Sequence, residues 1–406
     1  MPERMDISGT ALAPALLQLP WELPLEQWPE RVITTLPRGI SRHTVRFVTL
    51  GDGEGTRVIA VKEIGEKVAH HEYHMLRELN RIGAPSVRPL AVITGRRSAE
   101  GEELTACLVT DHLSFSLPYR AVFSQKLRPE VAGKLIDSLA VLLVRLHLVG
   151  FYWGDVSLSN TLFRRDADTF SGYLVDAETG ELPGCLSDTR RMYDVDVARV
   201  NIIGELMDLE AGGLMDESMD PIDIGGRITQ RYGQLWDELT GEEAIAADET
   251  WRVSDRIRRL NELGFDVGEL KVEKDDSGQT VTIRPRVVDS GHHNRALMRL
   301  TGLDVQEKQA QRMLNSIHTY RALELPELPL EQVAHTWLLD VFLPTVRSVP
   351  PELAKKLEPA QIFHEVMEHR WYMAEERGGD VSLAEATESY IQSILPEHRD
   401  EETLLG

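Results

Sequence analysis

The sequence predicts an α+β protein: a lobe built on an antiparallel sheet, a helical lobe, and a mainly helical C-terminal domain containing a β-hairpin. Three observations carry the prediction. Short β-branched runs with period-two alternation crowd residues 31–113. From Pro129 the apolar period changes to 3.6, and beyond about residue 245 a basic amphipathic stretch and a strand pair open a region of different character. The expected organisation is a packing segment at 1–30, the sheet lobe at 31–113, the helical lobe at 114–243 and the C-terminal domain at 244–406.

Each element follows from local chemistry. Residues 1–30 place Trp21 and Trp28 among prolines, which fits a segment lying on a domain better than a free tail. "RVITTLP", "TVRFVTL" and "RVIAVKEI", separated by Gly-bearing turns, predict three strands of a meander. "EKVAHHEYHMLRELNRIG" predicts a helix ended by Gly83 and Pro85, and "RPLAVITG" and "ELTACLVTD" complete a five-stranded lobe. "EVAGKLIDSLAVLLVRLHLVG" predicts a long buried helix closed by Gly150, followed by a hairpin over "TLFRRD" and "GYLVDAE". Helices from about Asp194 to Thr240 break around Gly212, Gly213 and Pro221. In the last domain "ETWRVSDRIRRLNELGF" predicts a basic helix, "GELKVEK" and "QTVTIRPRVV" a hairpin, and Asp304 with Glu307 a D-x-x-E box that opens a further helix.

Composition narrows the function. A formal net charge of -22 repels nucleic-acid phosphate and anionic lipid, so neither is an expected partner. The tail from residue 351 holds 13 acidic and 5 basic residues, which reads as a solvated surface or the face for a protein partner. Cys107 and Cys185 match no metal or redox spacing. The longest apolar run, "LAVLLVRLHLVGFYW", carries Arg145 and His147, well short of the ~18 to 20 apolar residues of a membrane span. The expected location is cytoplasmic.

The chemistry starts at "FYWGDVSLSNTLF", residues 151–163. Asp155 and Asn160 sit there among large hydrophobes, where a polar side chain costs free energy unless it is bonded, paired or holding a metal. Three further positions fall into order with them. Lys62 ends a strand in "AVK", Glu72 lies ten residues on in the following helix, and Asp176 ends the strand "YLVD". Each suits one task in moving a phosphoryl group from ATP. A strand-borne Lys neutralises phosphate oxygens and a helix Glu fixes it. A loop Asp accepts the acceptor hydroxyl's proton, while an Asn and a second Asp offer the hard oxygen ligands that Mg2+ takes.

Through "AVK", "GDVSLSN" and "VDAE" the chain resembles the protein-kinase-like superfamily. More narrowly it resembles the lipopolysaccharide (Kdo/WaaP-type) kinase-like and aminoglycoside-phosphotransferase-like branch, and a bacterial lipopolysaccharide-kinase-like family with an extra C-terminal domain. The resemblance covers about residues 30–240 and implies a bilobal kinase-like fold with ATP and Mg2+ as cofactors. It makes Lys62 the phosphate contact, Glu72 its ion-pair partner, Asp155 the catalytic Asp, and Asn160 and Asp176 the magnesium ligands. It makes Asp111, His112 and Leu113 of "TDHL" the hinge whose backbone meets adenine. Asp196 would begin the helix that supports the catalytic loop through its backbone amides, with Asp194 a rival for that role.

Several positions depart from the family's pattern. Trp153 stands where a His is usual, Glu178 where a Gly is usual, and "PRGISRH" has one Gly where the phosphate loop usually has three. Arg38, Arg42 and His43 are the candidates to supply charge there instead. No long activation segment separates Asp176 from Asp194, which points to a small or non-peptide acceptor, or to the chain itself. The rival readings are a pseudokinase scaffold signalling through the C-terminal domain, and AMP transfer on the same fold.

Other clusters have plainer readings. His70, His71 and His74 are expected on a solvated or lobe-packing helix face. "HEVMEH", residues 364–369, puts Glu368 where a zincin has its second His, so a metal is not expected. Arg252, Arg256, Arg258 and Arg259 are expected to pair within the molecule rather than read DNA.

Overall fold

The computed structural model describes residues 5–9, 13–34, 43–51, 57–122, 129–241, 243–246, 251–263, 265–274 and 280–402. The chain divides into two compact units, one of residues 1–164, 172–229 and 403–406, the other of residues 165–171 and 230–402. Arg38 and Arg42 lie outside the described residues.

The first unit opens with β1 (Asp6–Gly9) and the short α1 (Ala13–Leu16), then β2 (Val45–Leu50), β3 (Arg57–Glu63), α2 (Glu66–Arg81), β4 (Pro89–Thr94) and β5 (Cys107–Asp111). The five strands form one antiparallel sheet in the order β1-β4-β5-β3-β2. One of its strands is not where local pattern puts it. The run at 31–37 contributes a single bridge, Thr34 to Phe47, and its last residues lie outside the described ones. The fifth strand comes instead from "DISG", whose residues have little β preference. Pairing with β4 satisfies that strand's outer row of backbone groups, and this needs no side-chain propensity.

One face of the sheet carries a core. Leu16, Leu19, Trp21, Leu25 and Trp28 pack against Val48, Ile59, Val61, Leu90, Ile93 and Val109. Trp21 and Trp28 meet edge to face at 5.2 Å. Buried Arg96 pins the segment by donating to the carbonyls of Trp21 (3.1 Å) and Leu23 (2.5 Å). Each large side chain so buried contributes roughly 1.5–3 kcal/mol. Because Ile59 and Val61 face this core, alternation sends Lys62 out of the opposite face.

The second lobe of this unit holds β6 (Ser116–Pro118), α3 (Tyr119–Val122), α4 (Pro129–Leu148), β7 (Thr161–Asp166), β8 (Thr169–Leu174), α5 (Asp188–Ala211) and the start of α6 (Pro221–Thr240). α4 is buried over most of its circumference, with Leu135, Leu139, Leu142, Leu143 and Leu146 almost fully covered. A small sheet, β6-β7-β8, follows it. α5 starts at Asp188, earlier than the apolar pattern suggests, because Ser187 caps it by accepting the Arg190 N–H at 3.4 Å.

The second unit comprises the rest of α6, β9 (Glu243–Ala246), α7 (Trp251–Glu262), β10 (Phe265–Lys274), β11 (Thr280–Ser290) and α8 (His292–Thr301). α9 (Glu307–Glu324), α10 (Leu330–Trp337), α11 (Leu343–Arg347), α12 (Pro359–Arg377) and α13 (Leu383–Ser393) complete it. The expected hairpin is present as β10 and β11, and β9 adds a third strand. Arg256 donates to the Glu238 and Gly241 carbonyls at 3.2 and 2.6 Å, a cation at the C-terminus of α6. α9 opens on a Gln306–Gln309 capping box, while Asp304 accepts from Asn294 and Glu307 from His293. The hairpin tip 165–171 belongs here too. Asp166 accepts the Gln309 N–H and the Ser171 hydroxyl, both at 2.9 Å, and burial still pushes its carboxyl up to about 6. Not all of the acidic tail is solvated. Glu401 is buried on Arg165, and Glu365 accepts from Tyr390 at 2.7 Å. No described helix is long and apolar enough to cross a membrane.

Candidate active site

Two polar assemblies form in the first unit. The first is built on β3, α2 and the turn after β8. Lys62 Nζ donates to Glu72 Oε2 at 3.0 Å and to Asp176 Oδ2 at 2.7 Å. α2 presents Glu72 at 1% exposure, on the face that also buries Ala69, Met75, Leu76 and Leu79. Glu178 joins them, 3.5 Å from Lys62 and 3.2 Å from His43 Nε2. Its own N–H donates to Asp176 Oδ1 at 3.0 Å. Burial works against the Lys62 charge, but Glu72 and Asp176 outweigh it and its pKa lies above the usual lysine value. Burial, with Asp176 adding to it, pushes Glu72 up to about 7 despite Lys62.

One ammonium therefore faces three carboxylates. Glu72, Asp176 and Glu178 each offer an oxygen, all within 4.8 Å of one another, and an all-oxygen set of that spacing suits a hard divalent cation. Glu178, the Glu of the Asp-x-Glu that stands where protein kinases have Asp-Phe-Gly, is a further acid of the cluster.

The second assembly is the loop 153–160, held from below by α5. Gly154 takes φ +82°, a left-handed turn that lets two successive N–H groups converge on one acceptor. Trp153 N–H donates to Asp194 Oδ2 at 2.7 Å and Gly154 N–H to Asp194 Oδ1 at 2.8 Å. His147 of α4 lies 3.2 Å from the same carboxylate, which is fully buried. The acid beneath the loop is thus Asp194, while Asp196 is exposed and paired with Arg199. Two turns further along α5, Asn201 donates to Asp155 Oδ1 (3.2 Å) and Val156 O (3.0 Å). One turn later Glu205 accepts the Leu158 and Ser159 N–H groups, both at 2.8 Å. Asn160 completes the frame, its Nδ2 donating to Asp155 O (3.0 Å) and Oδ2 (3.2 Å). Both oxygens of Asp155 are therefore held, one by each asparagine.

Trp153 joins the two assemblies. It is fully buried, and its indole N–H donates to the Asp176 carbonyl at 2.9 Å. Thr179 donates back to the Trp153 carbonyl at 2.6 Å. A His at this position would also offer a ring N–H, so the unusual residue keeps a donor there. The hinge candidates sit at the end of β5. Asp111 takes Arg57 in a bidentate ion pair and its N–H donates to Arg88 O at 2.8 Å, while His112 N–H donates to Val58 O at 3.1 Å. Leu113 follows them outside the strand.

Two family models match separate stretches of the chain. Residues 56–194 match the lipopolysaccharide kinase (Kdo/WaaP) family. That segment carries both assemblies up to Asp194, so the first unit is kinase-like and its antiparallel sheet and helical part are the two lobes of that fold. Residues 234–395 match a domain of unknown function, DUF4032, as an additional C-terminal domain. No curated protein sequence matches the chain. Among solved structures, that of WaaP in complex with acyl carrier protein aligns at 16% identity and a TM-score of 0.36, over 64% of this chain and 99% of that one.

Proposed function

We propose that the chain is an ATP- and Mg2+-dependent phosphotransferase acting on a hydroxyl group, either of a small or non-peptide acceptor or of the chain itself. The observation that carries this is the Lys62 contact with both Glu72 and Asp176, in a kinase-like segment whose loop holds Asp155 and Asn160 together. Lys62, fixed by Glu72, meets the nucleotide's phosphate oxygens. Asp176 and Asn160 are the residues that would hold the metal, and the carboxylates of Glu72 and Glu178, whose oxygens lie within 4.8 Å of that of Asp176, add to the negative charge that favours it. A magnesium ion held there would supply positive charge against the phosphate oxygens. Asp155 receives the acceptor's proton as the new O–P bond forms and the bond to ADP breaks. Two hinge N–H groups are already spent on the sheet, so adenine is left to the backbone of Leu113 and the neighbouring carbonyls.

The pseudokinase reading rests on Trp153 and the thin glycine loop, and the indole N–H bond to the Asp176 carbonyl keeps a donor where a His is usual. The test is ATP turnover by the full chain with Mg2+, read beside a thermal shift. A ligand that binds only the folded state raises Tm, so ATP with Mg2+ should raise it in both the wild type and Asp155→Asn. Turnover should fall about 10²- to 10⁴-fold in Asp155→Asn, the usual range for a lost general base. Undiminished turnover in that variant would remove the mechanism. A Tm shift without turnover would favour the scaffold, and an intact-mass gain of one AMP would make the enzyme an AMP transferase.

A further inference from the structure

The second unit contains a cavity that the proposed phosphotransfer does not use. It opens between α9 and α12, has a volume of about 350 Å³, and is floored by Met313, Phe363 and Met367. That volume is at the low end for ligand sites, so any occupant is small. His364 lines it at 7% exposure and makes no hydrogen bond to any described residue. Its ring nitrogens are not fully enclosed, so a ligand in the cavity can reach them. Burial, with the Arg312 charge adding to it, holds the His364 pKa below the usual value, so the ring is neutral and keeps an acceptor nitrogen.

The charge of the lining selects the ligand. Arg312 also lines the cavity, but Asp168 offsets it at 2.7 Å. Glu368 has no ion-pair partner among the described residues, which leaves the site one negative charge in excess. Glu368 lies three and four residues before Trp371 and Tyr372, so the carboxylate and both rings share one helix face. The rings are 58% and 56% exposed and meet edge to face at 4.9 Å. Exposed aromatic faces beside an unpaired carboxylate attract a cation through the ring quadrupole as well as the charge.

We propose that this cavity binds a small primary alkylammonium ion. Its head group meets Glu368, Trp371 and Tyr372, one N–H reaches His364, and the aliphatic chain lies on Met313, Phe363 and Met367.

The test is titration of the full chain with n-butylammonium chloride at constant ionic strength, followed by calorimetry. 1-Butanol and butyrate serve as neutral and anionic counterparts of the same length. Saturable binding of one butylammonium is expected, with a Kd on the order of 1 mM or tighter for so few atoms. The two counterparts should bind at least tenfold more weakly. Glu368→Gln and Trp371→Ala, both on exposed side chains and expected to leave Tm unchanged, should each weaken butylammonium about tenfold, and Asp155→Asn should not weaken it. Absence of saturation, equal or better binding of butanol or butyrate, or wild-type affinity in both cavity variants would overturn the proposal. The last result would make the ion a general counter-ion to the acidic chain.

Discussion

The loop at 153–160 and the cluster around Lys62 are equally rich in charged and polar groups, yet they balance charge in opposite ways. In the loop, Asp194 and Glu205 each face two backbone N–H groups, and Asp155 is held by two amides. Its acids are met by donors the chain itself supplies. In the cluster a single ammonium serves three carboxylates, and one of these is pushed up to about 7. A preorganised site can afford to finish its geometry in advance, but a site that takes a cation gains by leaving negative charge unmatched. The loop should then be stable without metal, and the cluster should respond to it.

The most direct way to break that contrast is Asp194→Asn. The amide keeps the volume but turns its NH2 toward one of the two backbone N–H groups that the carboxylate accepts from, leaving buried donors facing each other unpaired. A loss of about 2–4 kcal/mol is expected in urea denaturation, together with turnover, and Mg2+ should not restore either. The exposed Asp196→Asn should stay within about 0.5 kcal/mol of wild type. A smaller effect is expected from Lys62→Met. It leaves Glu72 and Asp176 facing each other, and because Glu72 readily takes a proton the loss should be about 1–3 kcal/mol. Added Mg2+ should recover much of that loss, read as a larger rise in Tm than in wild type. If Mg2+ stabilised the two variants equally, the cluster would not be the metal-responsive part.

How much could be read from the sequence follows the same division. Lys62, Glu72 and Asp176 could be singled out because a Lys near a strand end, a Glu ten residues on in the next helix and an Asp just after a later strand fall in the order that phosphoryl transfer requires. Glu178 could not, since its role depends on the turn that folds its carboxylate back toward Lys62. Asn201 and Glu205 lie more than forty residues from the loop they hold, and their only local signal is two polar side chains one turn apart on a half-buried helix. The same limit applies to the fold. The long helix α4 and the hairpin of β10 and β11 announce themselves by period, whereas β1 is a strand only because β4 offers it an edge. The hairpin tip 165–171 reads as an ordinary turn, and nothing local shows that its Asp166 is bonded to Gln309, 143 residues on.

Trp153 belongs to both regions, and changing it should give the smallest and most specific effect. Its backbone serves the loop, through Asp194, while its indole serves the cluster, through the Asp176 carbonyl. Trp153→Phe keeps an aromatic body in the buried position but removes the donor, so the peptide that carries Asp176 loses one anchor. A neutral hydrogen bond contributes about 1 kcal/mol, equivalent to roughly a fivefold change in an equilibrium constant. The Mg2+ concentration for half-maximal turnover should rise about fivefold in Trp153→Phe, with kcat at saturating Mg2+ close to wild type. Trp153→His, with a smaller ring but a donor N–H, should recover part of the Mg2+ response while packing no better than Phe. Cavity formation alone would lower stability in both variants and leave the Mg2+ dependence of both alike. A split between them would therefore locate the effect in the hydrogen bond, and its absence would mean that Trp153 only fills space between loop and cluster.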